Sequence, residues 1–156
     1  MYGGQLKKRA KACYHACMNT LVFSSEEKEI LKRLEVEALV LFGSQAQRKA
    51  GPLSDFDIGV LVKDKPALNS SGKRRRMYDA LYEILEKHIN RLVNIDIIFL
   101  ETAPYELRAH VMKYGKEIFE AKSGAFANFK ALVMEQYADF APLRKNFHRG
   151  VLSQIK

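Results

Sequence analysis

Between Val36 and Leu100 the chain carries three short apolar runs, "VEALVLFG", "DFDIGVLV" and "RLVNIDIIFL". Runs this short, rich in Val, Ile, Leu and Phe and flanked by Gly, Pro, Ser and Asn, read as buried strands. Between the second and third, "KDKPALNSSG" is a loop, and a helix fits Lys73 to Asn90. There Met77, Leu81, Ile84, Leu85 and His88 recur at three- and four-residue steps and give one largely apolar face. Upstream, Ser24-Ser25-Glu26-Glu27 has the capping-box pattern, so a helix should run from about Ser25 to Leu34. Downstream, Ala103-Pro104 opens a helix that Gly115 stops after Tyr114, and "KEIFEA" reads as a short edge strand. From Gly124 a long helix places Phe126, Phe129, Val133, Tyr137 and Phe140 on one stripe, with Pro142 kinking or restarting it. This pattern gives one α/β domain, which suits a length of 156 residues. Its expected limits are an N-terminal extension over 1–23, disordered or weakly helical, a domain over 24–122, and a C-terminal helical segment over 123–156. That last segment packs on the domain or on a partner.

The second strand opens on an expense. Asp55 and Asp57 project to one face while Phe56 and Ile58 project to the other. Two carboxylates so close repel each other unless a cation lies between them, and the natural compensator is a hard divalent ion such as Mg²⁺. Asp96 interrupts the third strand in the same way and supplies a third acid, enough for a second metal. Two metals together clamp the attacking and leaving oxygens of a phosphoryl displacement. Ten residues before Asp55, Gly43-Ser44 ends the first strand, where a missing side chain lets a phosphate approach the backbone and a hydroxyl can bind it. Alone, Gly-Ser is often only a turn and Asp-x-Asp a structural device. It is the conjunction of strand, Gly-Ser, second strand with Asp-x-Asp, and third strand with an embedded Asp that points to nucleotide chemistry.

A net charge of +8 implies an anionic partner without naming it. The cations cluster at Lys7 to Lys11, at "GKRRRMY" (Gly72 to Tyr78) and at Arg144, Lys145 and Arg149. Each cluster is a solvated face, or a seat for a triphosphate, RNA or an acidic protein surface. Cys13 and Cys17 near His15 form at most a partial metal site and read as unpaired thiols in a reducing compartment. No apolar run approaches the ~18–20 residues of a membrane span, and the start is too polar for a signal sequence. A cytoplasmic protein is expected. His88 and His110 fall in helices and read as satisfied or surface histidines. Arg144 and His148 are spaced one residue too closely for the Arg-then-His signature of a HEPN nuclease.

Gly43-Ser44, Asp55-x-Asp57 and Asp96, at these spacings, resemble the nucleotidyltransferase motif of the DNA polymerase β superfamily. From about Val36 to Tyr137, including "NIDIIFLETAPYELRAHVMKYGKEIFEA", and in the tail "YADFAPL", the chain is similar to the superfamily's minimal members. These are the MntA-type antitoxins that accompany HEPN ribonuclease toxins. The resemblance implies a nucleotidyltransferase fold, a small mixed β-sheet with helices packed on one face. It implies ATP and Mg²⁺ as cosubstrate and cofactor, and transfer of AMP to a tyrosine of the partner toxin. Asp55 and Asp57 would be metal ligands, Asp96 the third acid assisting the acceptor hydroxyl, and Gly43 and Ser44 triphosphate binders. Many members carry Arg directly after Gly-Ser and Gly three positions later, where this chain has Gln45 and Arg48; Arg48 would supply the positive charge from one turn further along a short helix. Two other functions fit the same residues: a non-catalytic antitoxin that neutralises by binding, and nucleotidyl transfer to a small hydroxylated molecule. RNA-end chemistry needs further domains, so direct nucleic-acid binding is not expected.

Overall fold

The computed structural model describes residues 21–51, 54–89 and 93–139. Helix α1 (Ser25–Arg33) begins at a complete capping box. The Glu27 backbone N–H donates to Ser24 Oγ at 3.2 Å, and Glu27 Oε2 accepts from the Ser24 N–H at 2.8 Å. Strand β1 (Val36–Phe42) leads into a single helical turn, α2 (Gly43–Ala46), and then to β2 (Phe56–Val62). A 3₁₀ turn (Lys65–Asn69) precedes α3 (Ser71–His88), β3 (Ile95–Phe99), α4 (Tyr105–Tyr114), β4 (Lys116–Glu120) and α5 (Ala125–Asp139).

The strands form one mixed sheet in the order β3-β2-β1-β4. Neighbours β2 and β1, and β1 and β4, are antiparallel, whereas β2 and β3 are parallel. Parallel neighbours need a long crossover, and α3 supplies it. Strand β4 lies at an edge, as its short charged sequence predicts.

Each face of this sheet has its own core. On one, Leu39, Leu41, Ile58, Val60, Ile97 and Phe99 pack against Leu31 of α1 and Met77, Leu81, Ile84 and Leu85 of α3. On the other, Ala38, Val40, Phe42, Leu61 and Leu100 pack against Val111 of α4 and Phe126, Phe129 and Val133 of α5. Helices therefore cover both faces, which corrects the expectation of a single covered face. The reason lies in β1 and β2, whose alternate residues are apolar in both directions and leave two faces to bury. Fully burying one such side chain contributes about 1.5–3 kcal/mol, so an uncovered second face is not sustainable.

Phe23, assigned by sequence to the extension, is buried and meets the ring of His88 edge-on with centroids 5.1 Å apart. Packing thus starts before Ser24. Residues 1–20, with Cys13, His15 and Cys17, and residues 140–156, with Phe140, Pro142, Arg144 and His148, lie outside the described residues. In α5 the inward stripe holds as far as Val133, and Tyr137 instead stacks on Tyr105 with centroids 6.0 Å apart. Among the described residues no helix is long and apolar enough to cross a membrane.

Candidate active site

The parallel pairing of β2 with β3 sets Asp57 directly beside Asp96 in register. Because the neighbouring residues Ile58 and Ile97 belong to the core under α3, both carboxylates project to the α4 side. Asp55 precedes the strand and is exposed, Asp96 is exposed at its register position, and Asp57 is partly buried. The start of this edge is fixed by the backbone, since Phe56 N–H donates to Asn94 O at 2.9 Å.

Gly43 faces the same carboxylate from β1. Phe42 pairs with Asp57 in the antiparallel ladder, and Gly43 follows it with φ +65°. A Cβ at that position would collide with Asp57 Oδ2 and Cγ. The glycine is thus required twice, by its left-handed backbone and by the close approach of the carboxylate. Its absent side chain leaves a cradle at the end of β1, with the Ser44 residue next to it partly buried.

The segment that links Gln45 to Ser54 is anchored where it is described, over 45–51 and at Ser54. Gln45 is fully buried, and its Nε2 donates to Ser54 O at 2.9 Å, drawing the end of the loop back against α2. Gly51 N–H donates to Ser54 Oγ at 2.8 Å. Gln45 is therefore a structural pin, and a side chain so placed does not reach for phosphate. Arg48 is exposed, but α2 ends at Ala46 and Arg48 takes a left-handed backbone with φ +58°. The expectation that it continues a short helix is corrected: the helix stops because the backbone turns left-handed at Arg48, where Lys49 N–H donates to Ser44 O at 3.0 Å and Arg48 N–H to Gln45 O at 3.2 Å.

A residue set aside on sequence joins the site. His110 of α4 lies 3.3 Å from Gln47, Nε2 to Nε2, just after the Gly-Ser turn. Its sequence signal is slender: it stands one turn before Tyr114, in the first helix after the strand that bears Asp96. By contrast His88 is satisfied, with Nε2 2.9 Å from Glu27 Oε2.

Electrostatics single out Asp57. Burial pushes its carboxyl above the ordinary range, and the negative charges of Asp96 and then Asp55 push it further, against a smaller opposing pull from His110. Among the described residues no Lys or Arg forms an ion pair with Asp57, so its charge is left to be balanced by a ligand cation. Among the described residues, no group of three or more His, Cys, Asp or Glu gathers closely enough to hold a metal alone. Mg²⁺ needs no such cage, because one or two carboxylates suffice when substrate phosphate oxygens and water complete the octahedron. All the candidate ligands are hard carboxylate oxygens, and the donor set fits a magnesium ion that arrives with a nucleotide.

Residues 26–124 match the family model described as polymerase beta, nucleotidyltransferase. No curated protein matches the chain. Among solved structures, a toxin–antitoxin with AMP-PNP is similar at 22% identity and TM-score 0.61, the match covering 83% of this chain and 99% of that one. A tri-AMPylated Shewanella oneidensis HEPN toxin in complex with MNT antitoxin matches at 19% identity and TM-score 0.55, covering 81% and 96%. A toxin–antitoxin MntA-HepT structure matches at 18% identity and TM-score 0.54, covering 83% and 99%. At these identities the likeness is one of fold.

Proposed function

This chain belongs to the polymerase beta nucleotidyltransferase family, and from that premise we propose that it transfers AMP from ATP to a tyrosine of a HEPN ribonuclease toxin and thereby acts as an antitoxin. The observation that carries the reading is the in-register pair of Asp57 and Asp96, with Asp57 pressed against the bare backbone of Gly43. Carboxylates and phosphate cradle then meet at one point.

In this scheme Gly43 and Ser44 receive the triphosphate, with Arg48 adding charge from the rim. Asp55 and Asp57 hold the magnesium ion, and Asp96 completes the acidic set. Bound magnesium supplies neutralisation of the phosphate charge and of the oxygens around phosphorus. Asp96 orients the acceptor hydroxyl and takes its proton. The tyrosine oxygen forms a bond to the α-phosphorus, the bond from that phosphorus to the α–β bridging oxygen breaks, and pyrophosphate leaves. Support for the acceptor comes from the fold neighbours, which include a toxin–antitoxin with AMP-PNP and a tri-AMPylated HEPN toxin with its MNT antitoxin.

The test incubates the purified chain with labelled ATP, Mg²⁺ and a purified HEPN toxin. The toxin should gain AMP on tyrosine by mass spectrometry, and Asp57→Asn should leave it unlabelled. A second reading, neutralisation by binding alone, draws on Leu132 and Met134, which α5 turns to solvent with 43% and 67% exposure. Rescue of toxin-expressing cells by Asp57→Asn as effective as by the parent chain would favour it.

A further inference from the structure

Of the three acids, two are held by the sheet and one is not. Asp57 pairs with Phe42 on one side and with Asp96 on the other, so the strand ladders fix both of those backbones. Asp55 precedes β2, is exposed, and ends the segment that crosses from the Gly-Ser turn. A residue outside a ladder keeps its backbone freedom unless other bonds remove it. Two hydrogen bonds do so here. Ahead of Asp55 the Ser54 carbonyl accepts from Gln45 Nε2 at 2.9 Å, and behind it the Phe56 N–H donates to Asn94 O at 2.9 Å. Each of these groups belongs to one of the two planar peptides that meet at the Asp55 Cα, so holding both planes fixes its φ and ψ.

The two bonds differ in origin. The bond to Asn94 extends the pairing of β2 with β3 and comes with the sheet, whereas the bond to Ser54 depends on one side chain. Gln45 is fully buried, and its Oε1, equally enclosed, meets no donor among the described residues. Enclosing an amide with part of its bonding unmet is unfavourable, and an apolar side chain of the same length would fill the space without that cost. Packing alone therefore does not account for a glutamine here. What the glutamine adds is the bond to Ser54. That residue is already steadied by a local turn, its Oγ accepting from Gly51 N–H at 2.8 Å and its N–H donating to Gly51 O at 3.2 Å, so the pin acts on a formed structure.

We propose that Gln45 is the positioning residue of Asp55: from within the turn that carries Gly43 and Ser44, it fixes the backbone of the one acid that the sheet leaves loose, and so sets the affinity of the acids for a divalent cation. This rests on the metal reading of the acids given above but not on the acceptor. Without the pin, the backbone of Asp55 must be ordered at the moment the metal binds. Ordering one residue in that way corresponds to about a tenfold loss of affinity.

The experiment titrates Mn²⁺, read by electron paramagnetic resonance, into the parent chain, Gln45→Met and Leu81→Ala, and measures backbone-amide relaxation of the same three proteins by nuclear magnetic resonance in chelator. Gln45→Met keeps the length of the side chain and removes its donor. The Asp55 amide of the parent should have an order parameter of about 0.85, as rigid backbone does, and that of Gln45→Met should fall below about 0.6. Mn²⁺ affinity should fall about tenfold in Gln45→Met. Leu81→Ala, which opens the core under α3, should change neither, so a general loss of stability is told apart from loss of the pin. A flexible Asp55 in the parent chain overturns the inference without any variant. So does an unchanged order parameter or Mn²⁺ affinity in Gln45→Met, or an equal loss in Leu81→Ala. Absence of Mn²⁺ binding to the parent overturns the metal reading together with the inference, whereas normal Mn²⁺ binding without AMP transfer to a HEPN toxin overturns only the proposed acceptor.

Discussion

The two faces of the sheet share the same strands and differ in what they do with charge. Toward α1 and α3, the buried carboxylate of Glu27 is surrounded by partners: Ser24 N–H at 2.8 Å, Ser24 Oγ bridging its own N–H, and His88 at 2.9 Å. The Ser24 hydrogen bond above all holds it below the ordinary carboxylate range, outweighing the effect of burial. Toward α4 and α5, Asp57 sits beside two other acids and is pushed the opposite way. A carboxylate that completes a helix cap serves the fold, whereas one left among like charges at a strand end serves a ligand. The closed face carries stability, and on the proposed reading the open one holds a site whose charge a bound magnesium nucleotide would balance.

The largest effect on this division should come from the closed face. Leu81→Ala empties a fully buried position between α3 and the sheet and should cost about 2–5 kcal/mol, read as a fall in the denaturation midpoint. Nucleotidyl transfer per folded molecule should stay close to that of the parent. If activity falls while the midpoint holds, the two faces are not separable. Gly43→Ala tests the opposite side. Its Cβ must displace Asp57, and the left-handed backbone adds about 1–2 kcal/mol of strain. Transfer should drop about 100-fold, the scale expected when a reacting group is misplaced by an ångström. Crystallography of the variant should show the Asp57 carboxylate turned away. Undiminished transfer would show that the contact between Gly43 and Asp57 plays no part in the chemistry.

The closed face was the legible one. The spacing of Met77, Leu81, Ile84 and Leu85 places α3, and Ser24 with Glu27 marks the start of α1 to the residue, because these are local patterns read within one or two turns. The acids of the open face were also visible, as polar breaks in apolar strands. Its walls were not. His110 and His88 look alike in sequence, each a lone histidine in a helix, and only the packing of α4 beside the Gly-Ser turn separates a site residue from a cap partner. Arg48 was expected on a helix that in fact stops two residues earlier, because the backbone turns left-handed at Arg48 and closes the turn behind it. That both faces need cover is written in β1 and β2, which are apolar in both directions, but which helix takes which face is not, and a register irregularity between Val36 and Ala38 further blurs their alternation.

The smallest effects are the ones that separate the two carboxylates most sharply, because acid should erase both from opposite directions. Glu27 is held below its ordinary 4.5, so the folded chain binds its proton less tightly than the unfolded chain. Its stabilisation is full above that value and is lost as pH falls through the folded one. Glu27→Gln should therefore cost about 0.5–2 kcal/mol near pH 7, the worth of a cap, and less as acid is added. Asp57 is held above its ordinary 3.8, so its contribution is full below that value and is lost as pH rises through the folded one. Asp57→Asn should then raise the melting midpoint near pH 7 in chelator, an advantage that shrinks toward pH 3.8. With Mg²⁺ and ATP added the sign should reverse, since a ligand that binds the folded parent more tightly than the variant stabilises the parent more. A midpoint for Asp57→Asn that is below the parent's in chelator would make Asp57 a structural group like Glu27, and the contrast between the two faces would fail.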